Sequence, residues 1–152
     1  MTIKYYWEDF APGRVFETAQ RTLSEEDIVR FAREYDPQTY HTDAEAARSS
    51  PFGGLIASGW QTCCVAMRMA CDEILAGSES FASPGLAYVK WSNPVRAGDT
   101  LHLRADVLEV RTAKSKPTLG ILRWRWQVTN QHAQTVLDLE ATSLFDLASG
   151  AP

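Results

Sequence analysis

Apolar and polar residues alternate with a period of two late in the chain. Leu122, Trp124, Trp126 and Val128 are separated by Arg123, Arg125 and Gln127, the spacing of a strand with one buried face. Leu101, Leu103, Ala105 and Val107 repeat the pattern, and the phase then slips at Leu108, which predicts a β-bulge. Val, Leu, Trp and Thr enrichment marks strands over residues 86–91, 100–111, 119–129 and 135–147. Asn130-Gln131-His132-Ala133 supplies the turn of the last hairpin.

Before residue 77 the pattern is helical. Residues 1–20 read as an arm, a Pro12-Gly13 turn and a short strand at 15–19. Ser24 caps a helix whose first-turn acids face its positive end, Leu23 can staple onto Ile28, and Asp36-Pro37 stops it. Thr42-Asp43-Ala44-Glu45 reads as a capping box, with Thr42 as cap, for a short helix to residue 48. Asp36 and His41 are thereby expected on the loop between two helices. Pro51-Phe52-Gly53-Gly54 breaks the chain before a helix over 58–75 that is apolar around nearly its whole circumference. Such a helix is expected to be enclosed, and at ~1.5 Å per residue it is roughly 27 Å long. Helices first and strands later predict an α+β fold, with the antiparallel sheet curled around this helix and residues 1–152 forming one domain.

Composition narrows the function classes. The 152 residues carry a net charge of −4, which weighs against a nucleic-acid surface. The apolar run 55–75 contains Ser58, Gln61, Thr62, Arg68, Asp72 and Glu73, which disqualifies it as a membrane span. No secretory signal is read at the start. Cys63, Cys64 and Cys71 are odd in number with no histidine beside them, so buried free thiols in a reducing cytoplasm are expected. His41, His102 and His132 are too scattered for a metal set, and no glycine-rich phosphate loop follows a strand. The expectation is no metal and no nucleotide or redox cofactor.

The chemistry concentrates in residues 35–60. Asp36 and His41 stand five positions apart, and a histidine beside a carboxylate is a general acid/base pair able to work near neutrality. The Gly53-Gly54 turn then leads into the long helix, whose first N–H groups lack intrahelical partners and can polarise a carbonyl. Taken singly, Asp36 reads as a turn residue, His41 as a surface or cap histidine, and Gly59 as a packing glycine. Asp43 is read as structural, Met67 and Met69 as core, His102 and His132 as solvated, and Arg123 and Arg125 as the outer face of a strand.

Asp36-x-x-x-x-His41-x-Asp43, followed by Phe52-Gly53-x-x-Ile56-Ala57-x-Gly59, resembles the MaoC-like, or R-specific, enoyl-CoA hydratase family. Trp91-Ser92-Asn93-Pro94-Val95-Arg96-Ala97-Gly98-Asp99-Thr100-Leu101 is similar to the strand–turn–strand segment of the same family. The resemblance implies a hot-dog fold, a four- to six-stranded antiparallel sheet around a central helix, and pairing into homodimers. It implies hydration of a trans-2-enoyl-CoA to a (3R)-3-hydroxyacyl-CoA, with CoA as the substrate's carrier. Asp36 and His41 would activate water, and the Gly59 N–H would hold the thioester oxygen, with Gly54 and Ser58 placed in the substrate or oxyanion site. Gln38 and Thr39 stand where the family commonly has Asn-Pro. Ser58 replaces a usual His, and Met67 replaces a serine that assists in some members. Two alternatives stay open: a hot-dog thioesterase, disfavoured because Asp72 and Glu73 lie about three turns beyond the helix start, and a non-catalytic acyl-thioester-binding module.

Overall fold

The computed structural model describes residues 5–148. Its first long helix, α1 (Glu25–Tyr35), is capped as expected. Asp27 N–H donates to Ser24 Oγ at 3.0 Å and Ser24 N–H returns a bond to Asp27 Oδ2 at 3.2 Å. Leu23 and Ile28 are both buried. The loop expected after Asp36 contains a single helical turn, α2 (Thr39–Thr42), and the short helix α3 (Ala44–Ala47) follows. Its cap is Asp43 rather than Thr42: Asp43 Oδ1 accepts from the N–H groups of Glu45 and Ala46. Thr42 is still helical in α2, and its hydroxyl donates back to Gln38 O at 3.2 Å.

Six antiparallel strands follow the order β1–β4–β5–β6–β3, with β2 also on β4. They are β1 (Val15–Glu17), β2 (Arg21–Thr22), β3 (Ser80–Lys90), β4 (Thr100–Ala113), β5 (Lys116–Thr129) and β6 (Thr135–Asp146). The strand expected at 15–19 ends at Glu17, and a second short strand, β2, not expected from the sequence, follows along the edge of β4. The alternation read from sequence is the burial pattern: Leu101, Leu103, Ala105 and Val107 on β4, and Leu122, Trp124, Trp126 and Val128 on β5, face the core. Arg123 and Arg125 lie on the other face, paired with Glu109, Glu140 and Asp138.

The β4–β5 register shifts between Val107 and Glu109, where the phase slip predicted a bulge. Further shifts interrupt the β3–β6 pairing. Each one bends the ladder locally, which helps the sheet curl. β3 begins six residues earlier than its alternation indicates. Its first half is exposed on both faces and includes Pro84, which an edge strand tolerates because the missing N–H costs no ladder bond.

The curled sheet wraps α4 (Gly59–Ala70), giving the hot-dog architecture that the resemblance implies. Gln61, Thr62, Val65, Ala66, Met69 and Ala70 form the buried stripe of α4. The expected full enclosure is wrong. Trp60, Cys64 and Met67 are exposed along the opposite side, and small residues such as Ala66 and Ala70 let the helix seat closely on the sheet with only one stripe. Beyond Ala70 the helix does not continue as α to Leu75; Cys71–Leu75 forms a wider π-type turn. Among the described residues, no helix is long and apolar enough to cross a membrane.

Candidate active site

Three short elements converge at the N-terminal end of α4. α1 ends at Asp36, whose N–H donates to Ala32 O at 2.8 Å. Pro37 turns the chain, and the one-turn α2 folds His41 back toward Asp36. The turn at Pro51–Gly54 uses Gly53 at φ +67°, a left-handed conformation that residues with a Cβ rarely adopt. It brings Ile56 beneath the histidine. Ile56 N–H donates to Tyr40 O at 3.2 Å, and Ala57 N–H donates to Val95 O at 2.8 Å, fastening this loop to both neighbours.

His41 is buried, and its Nδ1 donates to Ile56 O at 2.7 Å. A carbonyl can only accept, so Nδ1 carries a hydrogen and Nε2 is the ring position left for proton exchange. That Nε2 stands 3.3 Å from Asp36 Oδ2. Asp36 has two further partners. Gln38 Nε2 donates to Oδ1 at 2.7 Å, and Ser58 Oγ donates to Oδ2 at 2.7 Å. Partial burial is the largest single influence on the Asp36 carboxyl and opposes its charge. The bonds from Gln38 and Ser58 and the nearby imidazole outweigh it, so the carboxyl is held below its ordinary value.

The pair opens on a cavity of about 350 Å³ lined by Tyr40, Phe52, Ile56, Ala57, Gly59 and Thr62 on one side and Trp60, Trp91, Asn93 and Val136 on the other. Gly59 is the first residue of α4, so its N–H is one of the amides that no carbonyl of the helix can reach. Trp91 lies over it: a Cβ added to Gly59 would sit 2.5 Å from Trp91 Cε2, and the indole N–H donates to Gly59 O at 3.0 Å. Close packing therefore requires glycine here whatever the N–H binds.

The structure thus brings Asp36, His41 and Gly59 to one cavity. Ser58 is fully buried and does not line it, because its hydroxyl turns to Asp36. Gly54 does not line it either; a Cβ there would meet Arg96 Nη1 at an ordinary 3.5 Å. Met67 lies on an exposed side of α4, away from the pair, and faces a different cavity together with Asp72, which Arg68 grips at 2.8 Å. Sequence reasoning missed Gln38 as a partner of Asp36 and Trp91 as the cover of Gly59. Trp91 heads the strand–turn–strand segment, so its position was marked but its contact was not. Among the described residues, no group of three His, Cys, Asp or Glu side chains could hold a metal ion.

Comparisons with known proteins agree with this fold. The profile of the family described as MaoC like domain matches residues 9–123. The chain is 33% identical over 138 residues to the uncharacterized protein YdeM of Bacillus subtilis (strain 168), covering 91% of this chain and 96% of that protein. A MaoC-like dehydratase from Rhodospirillum rubrum is similar with a TM-score of 0.86 at 37% identity, covering 91% of this chain and 94% of that one. The R-hydratase PhaJ1 from Pseudomonas aeruginosa shares the fold with a TM-score of 0.73 at 22% identity, over 92% of this chain and 84% of that one.

Proposed function

The chain belongs to the family of MaoC-like domains, and from that premise we propose that it reversibly hydrates a trans-2-enoyl-CoA thioester to a (3R)-3-hydroxyacyl-CoA. Membership supports the broader class of hydratase or dehydratase. The observation that carries the specific reading is the 3.3 Å approach of His41 Nε2 to Asp36 Oδ2 on a cavity wall shared with the free first-turn N–H of α4.

In this reading a water molecule sits between the pair and the β-carbon. The Asp36–His41 pair as a unit takes up one of its protons as its oxygen bonds to that carbon. The π electrons of the alkene shift toward the α-carbon and thioester oxygen, and the Gly59 N–H stabilises the charge that gathers there. A proton delivered from the pair to the α-carbon completes the addition and returns the enzyme to its starting state. The net change adds OH to one carbon and H to its neighbour. It oxidises nothing, so the proposal calls for no metal or redox cofactor, and CoA serves as the carrier of the substrate.

A homodimer and a cytoplasmic setting complete the proposal. Three free cysteines support the latter. The former is supported by β3, an 11-residue edge strand with exposed Phe81 and Leu86. Beside it an apolar groove of about 660 Å³ runs along Met67, Cys71 and Leu75. An unpaired edge of that length is a template for another strand, and a second copy can meet it in a two-fold, self-complementary way.

The test is incubation with a panel of trans-2-enoyl-CoAs, following enoyl absorbance and free thiol together. Loss of enoyl absorbance without thiol release is the expected result. Thiol release would identify a thioesterase instead, and binding without either signal would identify a non-catalytic module.

A further inference from the structure

Of the four positions that depart from the family pattern, Gln38 and Ser58 are the two whose side chains bond Asp36. They approach different oxygens, Oδ1 and Oδ2, each at 2.7 Å. Ser58 is fully buried at the residue before α4, and its side chain caps no helix amide although it stands at the N-cap. Its hydroxyl is committed to the carboxylate. Gln38 reaches the other oxygen from the exposed turn between α1 and α2. The geometry points to Ser58 and Gln38 as positioning residues that clamp Asp36 as an ionised carboxylate with Oδ2 aimed at His41.

The chemistry follows from counting donors. A carboxylate only accepts hydrogen bonds, whereas a carboxylic acid must place its own proton somewhere. Protonation would turn one of the two oxygens into a hydroxyl, a weaker acceptor for its fixed donor, whereas the ionised form accepts both bonds at full strength. Ionisation is therefore favoured by bonds that are stronger to the charged form, in keeping with the lowered carboxyl. His41 Nδ1 is occupied by Ile56 O. The mobile proton of the pair is thus handled at His41 Nε2, and Asp36 supplies fixed negative charge and orientation. His41, on α2, is the titratable group set against Asp36 within 4 Å; Gln38 from the turn and Ser58 from the head of α4 are uncharged.

This inference rests on the hydratase reading for its catalytic meaning, but one of its tests does not. The Asp36 carboxyl is titrated by carbon NMR in the substrate-free protein, in wild type, Ser58→Ala, Gln38→Ala and Ser58→Thr. Removing a bond to a charged acceptor is expected to raise the Asp36 midpoint by about one pH unit in Ser58→Ala and by less in the partly hydrated Gln38→Ala. Ser58→Thr, which keeps the hydroxyl, is expected to stay near wild type. The acid limb of kcat/KM should move by the same amounts. Unchanged Asp36 midpoints in folded Ser58→Ala and Gln38→Ala would overturn the clamp. If Ser58→Ala fails to fold, Gln38→Ala at an exposed position still decides the question: a raised midpoint supports the clamp and an unchanged one overturns it. If no enoyl-CoA is turned over, the hydratase reading fails while the NMR titration still judges the clamp.

Discussion

The two ends of α4 face two very different hollows. At the N-terminal end lies the smaller one, about 350 Å³, where every polar side chain of the Asp36–His41 pair has a fixed partner. Along the C-terminal half lies a groove nearly twice as large, lined by Cys63, Met67, Cys71, Leu75, Phe81 and Leu86 among others. Volume alone would choose the groove. Chemistry chooses the smaller cavity, because a reaction needs oriented donors and acceptors at the place where charge develops, while an open apolar surface needs only to be covered. One helix borders both: its first residue, Gly59, lines the smaller cavity, and Cys63, Met67 and Cys71 line the groove.

The largest expected effect breaks this contrast at the polar end. Asp36→Asn or His41→Ala should lower kcat/KM for the enoyl-CoA that the panel identifies by about 10²–10⁴-fold, the range for removing a general acid or base. Asp72→Asn, in the groove wall, should leave it within about twofold. Steady-state kinetics on the three variants, with circular dichroism to establish folding, checks the pair. Full activity in either first variant would remove that residue from the proposed mechanism.

Gly59→Ala separates packing from oxyanion binding. The new methyl would overlap the Trp91 ring, and overpacking of this kind costs about 1–3 kcal/mol. Trp91→Ala in the same chain should recover most of the lost stability in urea unfolding, because it clears the space. The backbone N–H at position 59 survives in the double variant, so activity should return with stability if the N–H is what matters. Recovery of stability without any activity would assign the catalytic contribution to Trp91 instead.

Much of this contrast was legible in the sequence, and what was not has physical causes. Strict alternation located β4 and β5 because their faces differ fully in burial. It failed for the first half of β3, which is exposed on both faces and therefore has no period. The apolar composition of α4 implied full enclosure, whereas Trp60, Cys64 and Met67 are exposed on the described chain. A helix apolar all round says only that each face can be covered, not by what. Asp36 and His41 were singled out by their spacing and Gly59 by the resemblance, because a five-residue turn and a helix start are local features; the fold brings all three to one cavity. The bond from Ser58 to Asp36 spans 22 positions, and nothing local announces it. In the sequence Gln38 and Ser58 stood out only as departures from a family pattern, whereas in the folded chain both bond Asp36.

At the groove, Leu86→Lys places a charge on the exposed edge of β3. A lysine on an edge strand opposes strand pairing, so the proposed dimer should weaken by tenfold or more, about 1.4 kcal/mol. Light scattering across a dilution series reads this directly. A wild-type chain that is monomeric at every concentration would instead reject pairing through this edge.

The smallest effect distinguishes the two regions by the side of the pH scale on which each weakens. The Asp36 carboxyl is lowered on folding: burial, the largest influence, opposes this but is outweighed by Gln38, Ser58 and His41. The folded chain then binds fewer protons than the unfolded one, so the Asp36 contribution is whole above the ordinary carboxylate value near 4 and is lost as pH falls through the folded value. The thiols of Cys63 and Cys71, in the groove, are raised, chiefly by burial. There the folded chain retains more protons, so the contribution is whole below the ordinary thiol value of about 8.5 and is lost as pH rises through the folded values. Urea midpoints measured from about pH 3 to 10 should therefore fall at both ends. Asp36→Asn should flatten only the acid side, and Cys63→Ala with Cys71→Ala only the alkaline side. Asp138, lowered first by its bonds from Arg125 on the outer face of the sheet, keeps some acid dependence in every variant, so the acid slope is compared between variants rather than with zero. If Asp36→Asn left that slope unchanged, the polar end would not be holding a charge, and its difference from the groove would be one of shape alone.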